Sequence, residues 1–229
     1  MRKRTVVLAA IAAVAVSATG LHAQDTDIPT VAVMDFTSFM MGGGGDAGVN
    51  LGKAVTAMLV TEFSGREGMQ VIERAELNAM LREQDLVLSG RVDEASAVEI
   101  GKLLGAQYVL HGQITSIVDN LRMDIRAVDV ETSEIISVLK KSDRTSELLA
   151  VVVSLADEFG TQLDLVPPSS RPAIESIPVG ATIEFSRALD FEDRGENERA
   201  IEHYEAALEI YPNHRDARRA LERLRGGTR

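Results

Sequence analysis

The chain contains no cysteine in 229 residues. That excludes disulfides, zinc–thiolate sites and cysteine nucleophiles, and it argues against a bacterial lipoprotein, whose lipid is carried by a cysteine at the first mature position. Tryptophan is also absent, and aromatic residues make up only 4% of the chain. Between Val109 and Glu158 there is no Phe, Tyr or Trp, so the aromatic girdle of a membrane barrel cannot be built there. The amino-terminal apolar run, residues 6–16, is eleven residues long, well short of the roughly 20 that a spanning helix needs. Positive charge is scarce, with 24 Lys and Arg against 35 Asp and Glu and a formal net charge of -11. Phosphate backbones and anionic headgroups repel such a chain, which excludes nucleic acid as a partner.

Arg2, Lys3 and Arg4 precede the apolar run, and small residues ending Leu21, His22, Ala23 follow it. This is the pattern of a secretory signal peptide over residues 1–23. The chain is therefore expected in the periplasm after cleavage, with no integral membrane span in its mature part.

Residues 24–165 read as an α/β domain, a mixed sheet flanked by helices. Val31 to Met34 are a buried strand, and Leu51, Val55, Met58, Leu59 and Phe63 repeat at helical spacing. A strand at 70–73, a helix at 75–84 and a helix over Glu94–Leu104 follow, the last stopped by Gly105. The period then changes to two, with strands at Tyr108–Ile117, 121–130 and 134–140. In the middle one, Leu121, Met123, Ile125 and Ala127 alternate with Arg122, Asp124 and Arg126, so one face packs on helices and the other meets water or a partner. A helix over 146–163 closes the domain. Residues 166–180 hold Pro167, Pro168, Pro172 and Pro178 and form a stiff, extended linker. Residues 181–229 read as a small all-α module.

Several motifs resemble the CsgG-like family of bacterial envelope proteins, named for a curli production assembly and transport component. Val31 to Phe36, including Asp35 and Phe36, look like its opening strand, and Val71-Ile72-Glu73-Arg74 like its second. Glu83 and Gln84 end a helix in the family's manner, Ser89 and Gly90 follow, and Gly101 to Gly105 lead to Tyr108 to Ile114 with Gly112. The resemblance covers residues 30–140. It implies a core shared with activators of peptidoglycan synthases and with the amino-terminal domain of TolB. The family's pore inserts two hairpins, for which this chain has only Val118, Asp119 and Asn120 at one place and residues 141–145 at the other. The core is thus expected without the pore.

The carboxy-terminal module resembles a tetratricopeptide repeat at Ala188, Phe191, Gly195, Ala200, Tyr204, Ala207 and Pro212. It departs at Glu184, where the repeat has tryptophan, and at Arg187, where it has leucine. One repeat and a last amphipathic helix cannot close a solenoid core. The module must therefore dock on its own α/β domain, on a second copy or on a partner.

Gly42 to Gly45 ahead of Gly52-Lys53 invite a phosphate-loop reading, but Ala47 and Ala54 stand where glycine and serine or threonine are required. A flexible loop rooted on an exposed Phe39, Met40 and Met41 patch is expected instead. Asp35 and Glu73, each near the carboxyl end of a strand, are the candidate pair for a divalent cation or a metal-dependent hydrolase, with Arg74 adjacent as an ion-pair partner that favours a structural role. His111, His203 and His214 lack metal-ligand spacing. Arg215, Arg218, Arg219 and Arg223 are candidate partner-binding residues, although cations late in a helix also suit its dipole. Neither catalytic residues nor cofactors are expected. The partners expected are envelope proteins or further copies of the chain, with peripheral outer-membrane association allowed. The sequence reads as a non-enzymatic assembly protein of a curli-type secretion or envelope-assembly system. The alternatives are a soluble activator of an envelope enzyme such as a peptidoglycan synthase, or the Asp35–Glu73 hydrolase.

Overall fold

A computed structural model of the chain describes residues 28–41, 51–83, 93–168 and 173–227. The segment 1–23, the run Gly42 to Gly45, Ala47, Gln84, Ser89, Gly90 and Pro172 lie outside the described residues.

The element order is β1 (Thr30–Val33), β2 (Thr37–Met41), α1 (Gly52–Ser64), β3 (Gln70–Val71), α2 (Arg74–Glu83), α3 (Glu94–Leu104), β4 (Tyr108–Ile117), β5 (Asn120–Asp129), β6 (Ile135–Arg144), a 3-10 turn (Thr145–Glu147), α4 (Leu148–Gln162), α5 (Val179–Asp193), α6 (Asn197–Ile210) and α7 (Arg215–Gly227). Among the described residues the strands form one mixed sheet in the order β3-β1-β4-β5-β6, with β2 also on β4. β1 and β2 lie end to end along β4, both parallel to it. Val33 opposes Leu110 and Thr37 opposes Gln113, so Met34, Asp35 and Phe36 span only His111 and Gly112 on the partner. This extra residue is a bulge. It turns Phe36 inward, where it is buried, and leaves the Asp35 carboxylate at the sheet's rim, partly exposed.

Phe39, Met40 and Met41, expected as the exposed root of a loop, lie in strand β2, with Phe39 and Met41 exposed as expected and Met40 partly buried. The strand's apolar side chains do not alternate with polar ones in the usual way, because Phe39 and Met41 face out while Met40 packs inward. β6 is also longer than expected and runs to Arg144, so residues 141–144 are paired strand rather than loop. Pairing with β5 holds this polar stretch extended. The β4–β5 connection is a tight turn at Val118, with φ 56°.

Local chemistry sets the element ends. The Asp93 carboxylate accepts from Ser96 N at 2.8 Å at the start of α3, and Gly105 ends the helix in the left-handed region with φ 65°. Asp129 accepts from Glu131 N and Thr132 N at 2.9 and 2.8 Å, shaping the turn into β6.

α2 and α3 cover one end of one sheet face, burying Ala32, Met34, Leu77, Ala97, Val109 and Val128. α1 and α4 cover the opposite face with Val55, Leu59, Phe63, Val152 and Phe159. That second core continues without a break into the carboxy-terminal helices through Phe185, Ala188, Tyr204 and Ala217. The helical module thus docks on its own α/β domain, over α1.

Within the module, Ala188, Ala200, Tyr204 and Ala207 are fully buried, and Gly195 turns α5 into α6 with φ 77°. Phe191 stacks on the His203 ring at 5.0 Å. Pro212 is exposed, and its carbonyl accepts from Arg218. The two residues at odds with the repeat pattern bond to each other, Arg187 donating to Glu184 at 2.8 Å, while Glu184 also meets His203 Nδ1 at 2.6 Å.

A Cβ on Gly112 would sit 2.2 Å from the Asp124 carbonyl oxygen and 2.7 Å from the Phe36 ring. Gly112→Ala is therefore expected to cost about 2–3 kcal/mol, measured by urea denaturation, because neither the strand backbone nor the buried ring can yield freely.

Candidate functional site

The Arg74 guanidinium lies where the sheet rim meets the helical module. Its Nε and Nη2 donate to the Asp35 carboxylate, both at 3.3 Å, and Nη1 donates to Asp193 Oδ1 at 2.9 Å while Nη2 pairs with Asp193 Oδ2. The Arg74 side chain is only 12% exposed and that of Asp193 16%. Burial opposes the guanidinium charge, but the two carboxylates outweigh it and its pKa is raised.

Asp193 is the hub of this junction. Lys53 Nζ pairs with it and with Asp190 at 3.1 Å, Asn78 Nδ2 donates to it at 2.9 Å, and Arg82 Nη1 reaches its carbonyl at 3.2 Å. Asp35, one of the two residues considered for a cation, is thus bound in a two-pronged pair with Arg74. Glu73 is exposed and acts on Arg223 across the cleft. Among the described residues no group of three or more histidines and carboxylates is placed to hold a metal ion.

The arginines of α7 turn toward the α/β domain. Arg215 lies 3.7 Å from the buried Glu62 of α1 and Arg219 donates to Thr61 Oγ1 at 3.1 Å, whereas Arg223 holds Glu192 of α5 at 2.5 Å within the helical module. Arg218 instead caps the Pro212 carbonyl. Glu192 also accepts from the Tyr204 hydroxyl at 2.6 Å, and burial followed by this carboxylate pushes the phenol's pKa up. Between α2 and α7 these groups line a cleft of about 660 Å³. Sequence reasoning marked Arg74, Arg219 and Arg223, but it passed over Asp193 and Glu192 and weighed Lys53 only as part of a phosphate loop. A charged residue at a helix end carries no sign that its partners lie 119 and 140 residues away.

A second feature is the part of the sheet that α2 and α3 leave bare. Arg122, Asp124, Arg126 and Lys140 stand at its centre beside Val138, above the buried His111. Arg122 pairs with Asp124 at 2.8 Å and Arg126 with Glu94 at 3.2 Å. Along its margins Phe39, Met41, Ile117 and Val138 are 58%, 53%, 43% and 51% exposed.

A mixed sheet with helices over one face and half of the other, an ion-paired junction and an uncovered apolar margin define an α/β domain equipped to be bound. Residues 13–122 match the family model of the curli production assembly/transport component CsgG, a similarity that spans just under half of the chain. The match ends in β5, and the motifs from Val31 to Ile114 lie within it. No curated protein sequence is significantly similar to the chain. Among solved structures, the LpoB C-terminal domain from Salmonella enterica is 18% identical, with a TM-score of 0.43 over 52% of this chain and 84% of that one. A lipoprotein from Neisseria meningitidis is 16% identical, with a TM-score of 0.41 over 58% and 96%. TolB from Acinetobacter baumannii is 13% identical, with a TM-score of 0.39 over 59% and 28%. Likenesses this distant say nothing of activity.

Two expectations follow. Asp193→Ala leaves Lys53 and Arg74 without their shared partner. Removing one side of a fully buried pair costs roughly 3–5 kcal/mol; with Asp35 still on Arg74 and both groups partly exposed, a loss of about 2 kcal/mol is expected by urea denaturation. His214 stands just before α7, is 1% exposed and lies against the Phe185 ring at 4.6 Å, with its Nδ1 accepting from Ala217 N at 3.4 Å. Burial lowers its pKa from 6.5 to about 4, Asp216 opposing. The fold favours the neutral ring, so this contribution is complete above pH 6.5 and is lost as the pH falls toward 4, reaching roughly 3 kcal/mol. Stability measured across that window in the parent and in His214→Asn is expected to show the steeper acid loss in the parent.

Proposed function

We propose that this protein works by binding other proteins, as a non-enzymatic component of a cell-envelope secretion or assembly system of the curli type, acting in the periplasm after its leader is removed. Its partners are envelope proteins or further copies of itself, and its contact with the outer membrane is peripheral. The carboxy-terminal helices serve it as a tetratricopeptide-like recognition module through α5 and α7, the outer face of α6 taking no part.

The observation that carries this reading is the uncovered sheet face, where exposed Phe39, Met41, Ile117 and Val138 flank paired charges. Apolar side chains clustered on a face of a water-exposed domain suit a protein partner. The CsgG-family match supports the envelope setting, and no helix among the described residues is long and apolar enough to cross a membrane. Asp35, the strongest candidate for chemistry, is held by Arg74 instead.

A photo-crosslinking residue placed in turn at Phe39, at Val138 and at the exposed Glu202 of α6 tests this in cells. The first two positions are expected to yield a discrete adduct with an envelope protein or a second copy, in a fraction released by osmotic shock or with the outer membrane. Equal labelling from Glu202, or a cytoplasmic location, would sink the reading.

A further inference from the structure

The cleft between α2 and α7 differs in character from the bare sheet face. Its floor is the outer side of α1, where Ala57, Thr61 and Ser64 present small side chains at helical spacing, and it is backed by the apolar Val60, Leu189 and Phe185. The carboxylates inside it are engaged: Asp193 by Lys53, Arg74 and Asn78, Glu192 by Tyr204 and Arg223, Asp216 by Thr61 and Arg219.

The cations on its rim keep donors in reserve. A guanidinium has five N–H groups. Arg219, 60% exposed, uses Nη2 on Thr61 and Asp216, and Arg223, 57% exposed, uses Nη1 and Nη2 on Glu192. Arg82, also exposed, uses Nη1 on the Asp193 carbonyl. Glu73 is the one exposed carboxylate beside them, acting on Arg223. The lining as a whole is balanced, with Arg74, Arg82, Arg219 and Arg223 against Glu73, Glu192, Asp193 and Asp216, but on a chain with a net charge of -11 its exposed rim is cationic, with guanidiniums pre-oriented by their internal partners.

We infer that this cleft receives an acidic amphipathic helix of a protein partner, its apolar side against α1 and Leu189 and its carboxylates on Arg82, Arg219 and Arg223. Arg219 and Arg223 are four residues apart on α7, so their side chains are spaced by about one helical turn. Arg82 lies on the opposite wall. Guanidiniums strung along two walls suit several anions carried on one segment, where a single phosphate would call for convergence. Small side chains along α1 let a helix backbone approach closely. The surface and the partner chemistry are separate from those of the sheet face, so the two can fail independently.

The full chain, titrated by fluorescence anisotropy with a labelled helical peptide of about 16 residues that places glutamates four apart beside leucines, tests this. A second peptide carries lysine for every glutamate. The glutamate peptide is expected to bind saturably and more weakly as salt rises, and the lysine peptide not to bind. Arg82→Glu, which leaves the α7 anchors intact, is expected to weaken binding about tenfold or more. Ser64→Trp, which fills the floor without touching a charge, should weaken it likewise and decides the matter should Arg82→Glu unfold. No saturable binding, equal binding of both peptides, or an affinity that these variants leave unchanged while Val138→Glu abolishes it would overturn the inference.

Discussion

A buried guanidinium cannot be left with half its partners. Arg74 sits at the start of α2 with Asp35 at the end of a bulged strand on one side and Asp193 at the end of α5 on the other. Desolvating such a cation is costly, and only well-aimed carboxylates offset it. The first partner belongs to the stretch that matches the CsgG family model and the second to the carboxy-terminal helices. The α/β domain is thus electrostatically incomplete at this corner until the helical module arrives. The arginines of α7 repeat the same arrangement at a lower level of burial, with Arg215 on Glu62 and Arg223 on Glu192.

The sheet is treated unequally on its two faces. α1 and α4 cover most of one, with the carboxy-terminal helices packed behind α1, while α2 and α3 cover only the end nearest β1 on the other. What is left bare is bounded on one side by an edge that resists random pairing: β6 carries Lys140, Lys141 and Arg144 and is bulged opposite Ala127 and Val128. Charge and a bulge on an edge strand discourage uncontrolled strand addition. Contact through the face, by side chains, is consequently favoured over contact through the edge.

Most of the architecture was legible because burial and local geometry left their marks in the chain. The alternation from Leu121 to Ala127 gave β5 its orientation, and Gly105 marked the end of α3. β2 was hidden because Phe39 and Met41 point outward, so the strand lacks the signature of a half-buried one. The far end of β6 was hidden because Lys141 to Arg144 are polar, and only the register with β5 keeps them extended. At the candidate site, strand-end position singled out Asp35 and Glu73, yet nothing local distinguished their fates. Asp35 found Arg74, and Glu73 stayed exposed near Arg223. Periodicity reports which face an element buries; it does not report which distant charge will meet it.

The unbroken core that runs from the sheet through α1 into the last helices bears on how the molecule comes into being. Lys53 and Asp193 are 140 positions apart, and the outer side of α1 acquires its cover only from α5 and α7. During synthesis, the amino-terminal half emerges with that side of α1 uncovered and Arg74 half-satisfied. Contacts of such long range close slowly, since chain entropy must be given up before they form. The last fifty or so residues therefore set the moment at which the whole chain becomes native, and until then α1 offers a sticky surface for which a chaperone is the natural temporary cover.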